Sequence, residues 1–153
     1  LAASVAYIDG LKMLARRELS EAQVRQRLAR KGHEPGAVDE AVARLLDERA
    51  IDDTRVAEAI ARTETTVHRR GKERVRLQIE RAGIAKSIAR RTVDEVFAEI
   101  DPEAHLQAAM KKRLRGRATI ADDREFLRLF RYLLGQGFDT DQVMKALTAR
   151  RRW

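Results

Sequence analysis

The sequence contains no cysteine, which excludes disulfides and thiolate chemistry and fits a reducing compartment. No apolar run approaches the about 18 residues needed to cross a bilayer. Asp9, Lys12, Arg16 and Arg17 interrupt the N-terminal stretch, so it does not read as a signal peptide. A cytoplasmic location is the expectation, and because Leu1 is not methionine there is room for a preceding segment. Aromatic residues amount to only 5% and fall mostly at core positions, so stacking on single-stranded bases has little support.

Signatures of catalysis are equally sparse. His33, His68 and His105 are far apart, without the spaced partners of a zinc site. Gly71-Lys72 is followed by Glu73 rather than Ser or Thr and lacks the earlier glycine of a phosphate loop. The few serines show no nucleophile arrangement. The paired carboxylates Asp52-Asp53 and Asp122-Asp123 each stand directly before a helical stretch, where capping explains them better than metal binding or acid–base work. No enzyme activity, cofactor, metal or small-molecule substrate is therefore expected.

What the chain does contain is helical periodicity nearly throughout, and a repeat. Val24 and Leu28 precede Gly32, Val75 and Ile79 precede Gly83, and Leu129 and Leu133 precede Gly137. In each case an apolar pair lies on one helix face, eight and four residues before a glycine suited to a left-handed stop. Directly after the glycines come His33, Ile84 and Phe138, and ten residues after each glycine Val42, Val93 and Leu147. The glycines are 51 and 54 residues apart, a period that reads as a repeated supersecondary unit.

The helix signals fall into three groups. A first helix over about Val5 to Glu18 turns Ile8, Leu11, Leu14 and Ala15 inward and tolerates Gly10. Ser20 with Gln23 forms a capping box, and Leu19 is placed to staple onto Val24. Pro35 opens a third helix with Val38, Val42, Leu45 and Leu46 inward. Asp52 or Asp53 caps the next helix, which should fray in the β-branched run Thr63 to Val67. Asp101-Pro102, Asp122 or Asp123, and Asp139 with Gln142 open the last three helices. The stripe between the last two glycine signals includes Phe126, Leu127, Phe130, Leu133 and Leu134. The expected fold is all-α: three tandem three-helix repeats, residues 1–50, 51–100 and 101–153, forming an elongated, curved array.

Charge is unevenly spread. The net charge is +8, yet Val67–Arg91 alone carries +7, Lys111–Arg117 +5 and Arg150–Arg152 +3, leaving −7 for the remainder. Such segregation favours a polyanionic partner. The candidate contact residues are Arg69, Arg70, Lys72, Arg74, Arg76, Arg81, Arg90 and Arg91, with Lys111, Lys112, Arg113, Arg115 and Arg117. Arg70, Arg74 and Arg81 are expected to share one helix side. Contacts with nucleic acid would be to phosphates and indifferent to base sequence.

Four segments carry a resemblance: LARRELSEAQVRQRLARKG (14–32), AIDDTRVAEAIAR (50–62), GKERVRLQIERAGI (71–84) and LLGQGFDTDQVMKAL (133–147). In this order, over essentially the whole chain, the sequence resembles the bacterial RecX family, negative regulators of the RecA recombinase. The resemblance implies three tandem three-helix repeats. It also implies binding along the RecA–DNA filament, in its groove, so that ATP hydrolysis, strand exchange and co-protease activity of RecA are restrained; a monomer is expected. Val56 stands where the family often has an aromatic residue, and the threonines between Thr63 and His68 are a second departure. The alternatives are a sequence-independent DNA-binding helical protein and a helical-repeat adaptor for other proteins. A helix-turn-helix reader would need base-reading polar side chains on a recognition helix, usually in a dimer, and neither is evident.

Overall fold

The computed structural model describes residues Leu1–Trp153. It is all-α, with three consecutive groups of three helices: α1 (Ala2–Arg16), α2 (Glu21–Arg30), α3 (Pro35–Asp47); α4 (Asp53–Arg62), α5 (Lys72–Arg81), α6 (Lys86–Ala98); α7 (Pro102–Leu114), α8 (Asp123–Gly135), α9 (Thr140–Thr148). By its contacts the chain divides into two compact units, Leu1–Ala59 with Ile79–Ala89, and Ile60–Gln78 with Arg90–Trp153.

In the first unit Leu19, Val24, Leu28, Val38, Val42, Leu45 and Ile51 form the core. The Ser20 capping box is complete: its side chain accepts from Gln23 N–H, and Gln23 reaches back to the Ser20 N–H. The same serine hydroxyl donates to the carbonyl of Ala82, so one buried side chain caps α2 and ties it to the turn that ends α5. Gly83 stands in that turn at φ +82°, and a Cβ there would lie 2.5 Å from Ala22 Cβ. Asp52 caps its own helix through Arg55 N–H at 3.2 Å. Asp53 instead accepts from Glu21 N–H at 2.9 Å, supplying an orphan donor in the first turn of α2 with a partner from 32 residues away.

The inward face of α1 differs from the sequence expectation. The helix runs from Ala2 rather than Val5 and ends at Arg16, while Ile8 and Leu11 are 50% and 38% exposed. The buried positions are Ala6 and Gly10, with Ala6 packed on Ala37 and Ala41 of α3. A Cβ on Gly10 would fall 2.8 Å from Leu45 Cδ1. Small residues let the two helices approach closely, and that close approach, rather than the bulkiest apolar stripe, selects the face. Leu46 is likewise exposed, because Val38, Val42 and Leu45 already complete the buried stripe of α3.

The second unit has its core in Leu106, Met110, Leu114, Ile120, Leu129, Leu133, Phe138, Val143 and Leu147. Asp101, Asp122 and Asp139 cap α7, α8 and α9 through the N–H groups of Glu103, Glu125 and Gln142. Leu127 points away from the core, 49% exposed, whereas Leu129 is buried. The loop after α7 is pinned by Ile120, whose N–H donates to Arg150 O at 2.9 Å, and Trp153 lies edge-on to Phe126.

Thr63–Val67 does not fray. It continues α4 as a wider π-helical turn, with His68 N–H reaching Thr63 O at 3.2 Å and the Thr66 hydroxyl donating to Arg62 O at 2.6 Å. The threonine hydroxyl bonds back to the preceding turn, and the extra residue absorbs the crowding of the branched side chains. The chain then leaves the helix through Arg69, at φ +53°, so Arg69 and Arg70 precede α5 rather than belonging to it.

The entry to α5 repeats the contact seen at Ser20. Gly71 N–H donates to Gln136 O at 2.7 Å, just as Ser20 bonds the residue before Gly83. A Cβ on Gly71 would lie 2.4 Å from the Gly137 carbonyl carbon, and one on Gly137 2.3 Å from Arg74 N. In both units, then, the middle helix of one triplet starts against the glycine turn of the next. His105, buried at 6% exposure, sits against Phe97 and Phe138. Its Nε2 lies 2.6 Å from Arg70 O, and since a carbonyl only accepts, Nε2 carries the proton.

Candidate nucleic-acid interface

The basic segment after α7 folds into a concavity of ≈ 620 Å³. Lys111, Lys112 and Arg113 occupy the last turn of α7, where cations complement the exposed carbonyls. Arg115 (φ +54°) and Gly116 (φ +84°) are both left-handed, and this sharp reversal returns Arg117 to the helix end, its N–H on Leu114 O at 3.2 Å. Lys112, Arg113, Arg115 and Arg117 line the cleft together with Arg128 from α8, above a floor of Leu114, Leu129 and Tyr132. Lys111 lies outside it.

The charges within the cleft are not equivalent. Glu125 is the one acid in its wall, and its carboxylate is 3.0 Å from the Arg117 guanidinium with a side chain only 12% exposed. Arg113 stacks over Tyr132, 4.3 Å from the ring centroid, which pre-orients its planar fork. Lys112, Arg115 and Arg128 are exposed and have no carboxylate partner. Three unneutralised cations beside one oriented arginine suit a row of phosphate oxygens, with charge-assisted and bidentate bonds available. Arg128 escaped the sequence reading because Asp122, Asp123 and Glu125 dilute its local charge. Only the packing of α8 against α7 brings it into the same wall.

Arg115 holds a backbone conformation that L-residues adopt at some cost. Arg115→Gly is expected to raise stability by about 0.5–1 kcal/mol in a urea melt, while making the salt slope of DNA binding shallower by about 0.9. A variant that gains no stability, or keeps the full slope, would show that this residue is not held there for anion contact.

The candidates around α5 are placed differently. Arg70 pairs with Glu64 at 2.9 Å, the two side chains 23% and 15% exposed. Arg74 lies against the Gly137 turn and reaches toward Gly135 O at 3.4 Å. Lys72 pairs with Asp94 at 2.9 Å and Arg76 with Glu73 at 3.0 Å. Arg69, Arg81, Arg90 and Arg91 are exposed. Because Arg70 stands before the helix, it does not share a helical side with Arg74 and Arg81, and both Arg70 and Arg74 contribute to packing.

Asp52, Asp53 and Asp122 are engaged as caps, and no group of three or more His, Cys, Asp or Glu side chains is arranged to hold a metal ion. No helix is long and apolar enough to cross a membrane.

Residues 6–45 match the family model described as RecX, first three-helix domain. Over 151 residues the chain is 36% identical to the regulatory protein RecX of Halorhodospira halophila, covering 97% of this chain and 90% of that one. It is 34% identical over 143 residues to the regulatory protein RecX of Acidithiobacillus ferrooxidans, covering 92% and 87%. The crystal structure of RecX from Lactobacillus salivarius superposes with a TM-score of 0.75 at 18% identity over 97% of both chains. A second RecX crystal structure gives 0.77 at 20% identity, over 97% of this chain and 72% of that one. With a three-helix domain in register, a relative of more than 30% identity along nearly its whole length, and the same fold, the chain belongs to the RecX family of regulatory proteins.

Proposed function

We propose that this protein is a non-enzymatic, cytoplasmic negative regulator of the RecA recombinase. It binds the RecA–DNA filament as a monomer and restrains ATP hydrolysis, strand exchange and co-protease activity. The observation that carries the DNA part of this reading is the α7–α8 cleft, where Lys112, Arg115 and Arg128 stand without carboxylate partners beside the stacked Arg113. Residues 1–50, 51–100 and 101–153 act as three modules, each stitched to the next through a glycine turn. Contacts of modest strength on more than one module then add through effective concentration. Lys111, Arg117 and the exposed Arg69, Arg81, Arg90 and Arg91 are further contact residues for the filament.

The test is fluorescence anisotropy of a labelled single strand, bare or coated with RecA and a non-hydrolysed nucleotide, at several salt concentrations. Binding to the coated strand is expected to be tighter and strongly salt-dependent, with RecA ATP hydrolysis suppressed over the same concentration range. Equal affinity for bare and coated strands would instead identify a sequence-independent DNA-binding protein. Tight binding that ignores salt would identify a protein-binding adaptor.

A further inference from the structure

The first unit holds a second basic cleft, built from the Lys12–Lys31 stretch with its seven basic residues and two acids. Asp9, Lys12, Met13 and Arg16 recur at three- and four-residue spacing along one side of α1, and Arg27, Arg30 and Lys31 do the same at the end of α2. Together with Arg17 they line an open concavity of ≈ 600 Å³. Six cations face one acid there. That acid is already engaged: Asp9 is 2.7 Å from His33 Nε2 and 3.6 Å from Lys31 Nζ. The His33 hydrogen bond, aided by Lys31, holds the Asp9 carboxyl below its ordinary value.

Lys12, Arg16, Arg17 and Arg30 are exposed and Arg27 is half-buried, and none of the five has a carboxylate within ion-pair distance. The ordinary explanation is helix-dipole compensation, which accounts for Arg16 in the last turn of α1 and for Arg27 and Arg30 in the last turn of α2. It accounts equally for Arg17 at the C-cap of α1 but not for Lys12, nor for two helices directing their cations into one trough. There they repel one another, an arrangement that opposes folding unless an anion is taken up. Glu21 of α2 and Asp39 of α3 are bonded to Arg25 instead and are not part of the cleft lining.

We propose that the α1–α2 cleft is a second nucleic-acid backbone site, which grips the phosphates of a DNA strand through Arg16, Arg17, Arg27, Arg30, Lys12 and Lys31 without reading bases. A phosphodiester fits this lining better than an acidic protein does. The cores of protein interfaces draw on aromatic and apolar anchors and are depleted in lysine. Here Met13 is the one large apolar side chain in the wall, and no aromatic is present. Arginine forks and lysine points along an open trough match a repeating row of oxygens. The site is distinct from the α7–α8 cleft.

The experiment measures binding of the full chain to a fluorescein-labelled duplex of mixed sequence, without RecA, as salt is varied. Arg16→Glu with Arg30→Glu is expected to weaken binding at least tenfold at low salt and to make the salt slope shallower by about 1.8, two phosphate contacts at about 0.9 each. The charge-preserving pair Arg16→Lys with Arg30→Lys should keep the parental slope. A reversed variant with parental circular dichroism and melting but unchanged affinity and slope overturns the site. So does loss of binding in the lysine pair, or competition for the cleft by poly-glutamate that the duplex cannot reverse. If the reversed pair does not fold, Arg16→Gln with Arg30→Gln is read by the same slope criterion. Since RecA is absent, failure here leaves the regulator reading untouched, and failure of that reading leaves this site testable.

Discussion

Gly137→Ala is expected to lower stability by roughly 2–4 kcal/mol, against about 1 kcal/mol for the same change at Gly32. Both glycines hold a left-handed backbone, at φ +95° and +94°, so the conformational cost is shared. The surroundings differ. Nothing lies within 4 Å of a Cβ built on Gly32, whereas one on Gly137 meets Arg74 N at 2.3 Å and Arg74 Cβ at 2.7 Å. Backbone cannot rotate aside as a flexible side chain can, so α5 must shift relative to the α8–α9 turn, and the Gly71 N–H to Gln136 O bond is strained with it. Gly71→Ala isolates the packing component, because Gly71 is not among the residues of positive φ yet its Cβ would lie 2.4 Å from Gly137 C. A cost of roughly 1–3 kcal/mol is expected there. Urea melts of the three variants give the comparison. Equal losses at Gly32 and Gly137 would mean that the glycine turn is merely a helix stop, and that the two triplets are not stitched together at this point.

Reversing the α7–α8 cleft with Lys112→Glu, Arg115→Glu and Arg128→Glu is expected to weaken DNA binding roughly a hundredfold at low salt and to make the salt slope shallower by about 2.7. Each change removes a counterion-releasing contact and sets an anion opposite phosphate. Stability should move by no more than about 0.5 kcal/mol per site, since the three side chains are exposed and have no partner to lose. That separation of effects makes this triplet more informative than Arg70, Arg74 and Arg81. Reversing Arg70 would leave Glu64 beside another carboxylate in a half-buried position, and reversing Arg74 would disturb the Gly137 contact. Any loss of binding there would be mixed with loss of fold. Retained affinity in the folded Lys112, Arg115 and Arg128 variant would remove this cleft from the DNA-binding surface.

Much of the architecture was legible residue by residue because it rests on short-range chemistry. Ser20 with Gln23, Asp101 before Pro102, and Asp139 with Gln142 each satisfy helix-start donors two or three residues away, so the sequence alone places these starts. The glycine stops follow equally from a local backbone requirement. The cleft was half legible: Lys112, Arg113, Arg115 and Arg117 are neighbours in sequence, but Arg128 joins them only through the pairing of α7 with α8. The α1–α2 cleft was hidden because its cations come from two segments, Lys12–Arg17 and Arg27–Lys31, that share one wall only once α1 packs on α2. The reading of α1 by its bulkiest stripe gave way for a related reason, as Ala6 and Gly10 are valuable only once α3 is beside them.

Chain order and composition thus settled the capped helix starts and the glycine stops, which depend on bonds spanning two to five residues, and showed the triplet period as their recurrence. Tertiary structure alone decided which arginines are tied to Glu64, Glu125 or a neighbouring backbone and which stand open to an anion. A charge acts on whatever lies within a few ångströms of it in space, and for residues as far apart as Gly71 and Gly137 that distance comes into existence only when the helices pack.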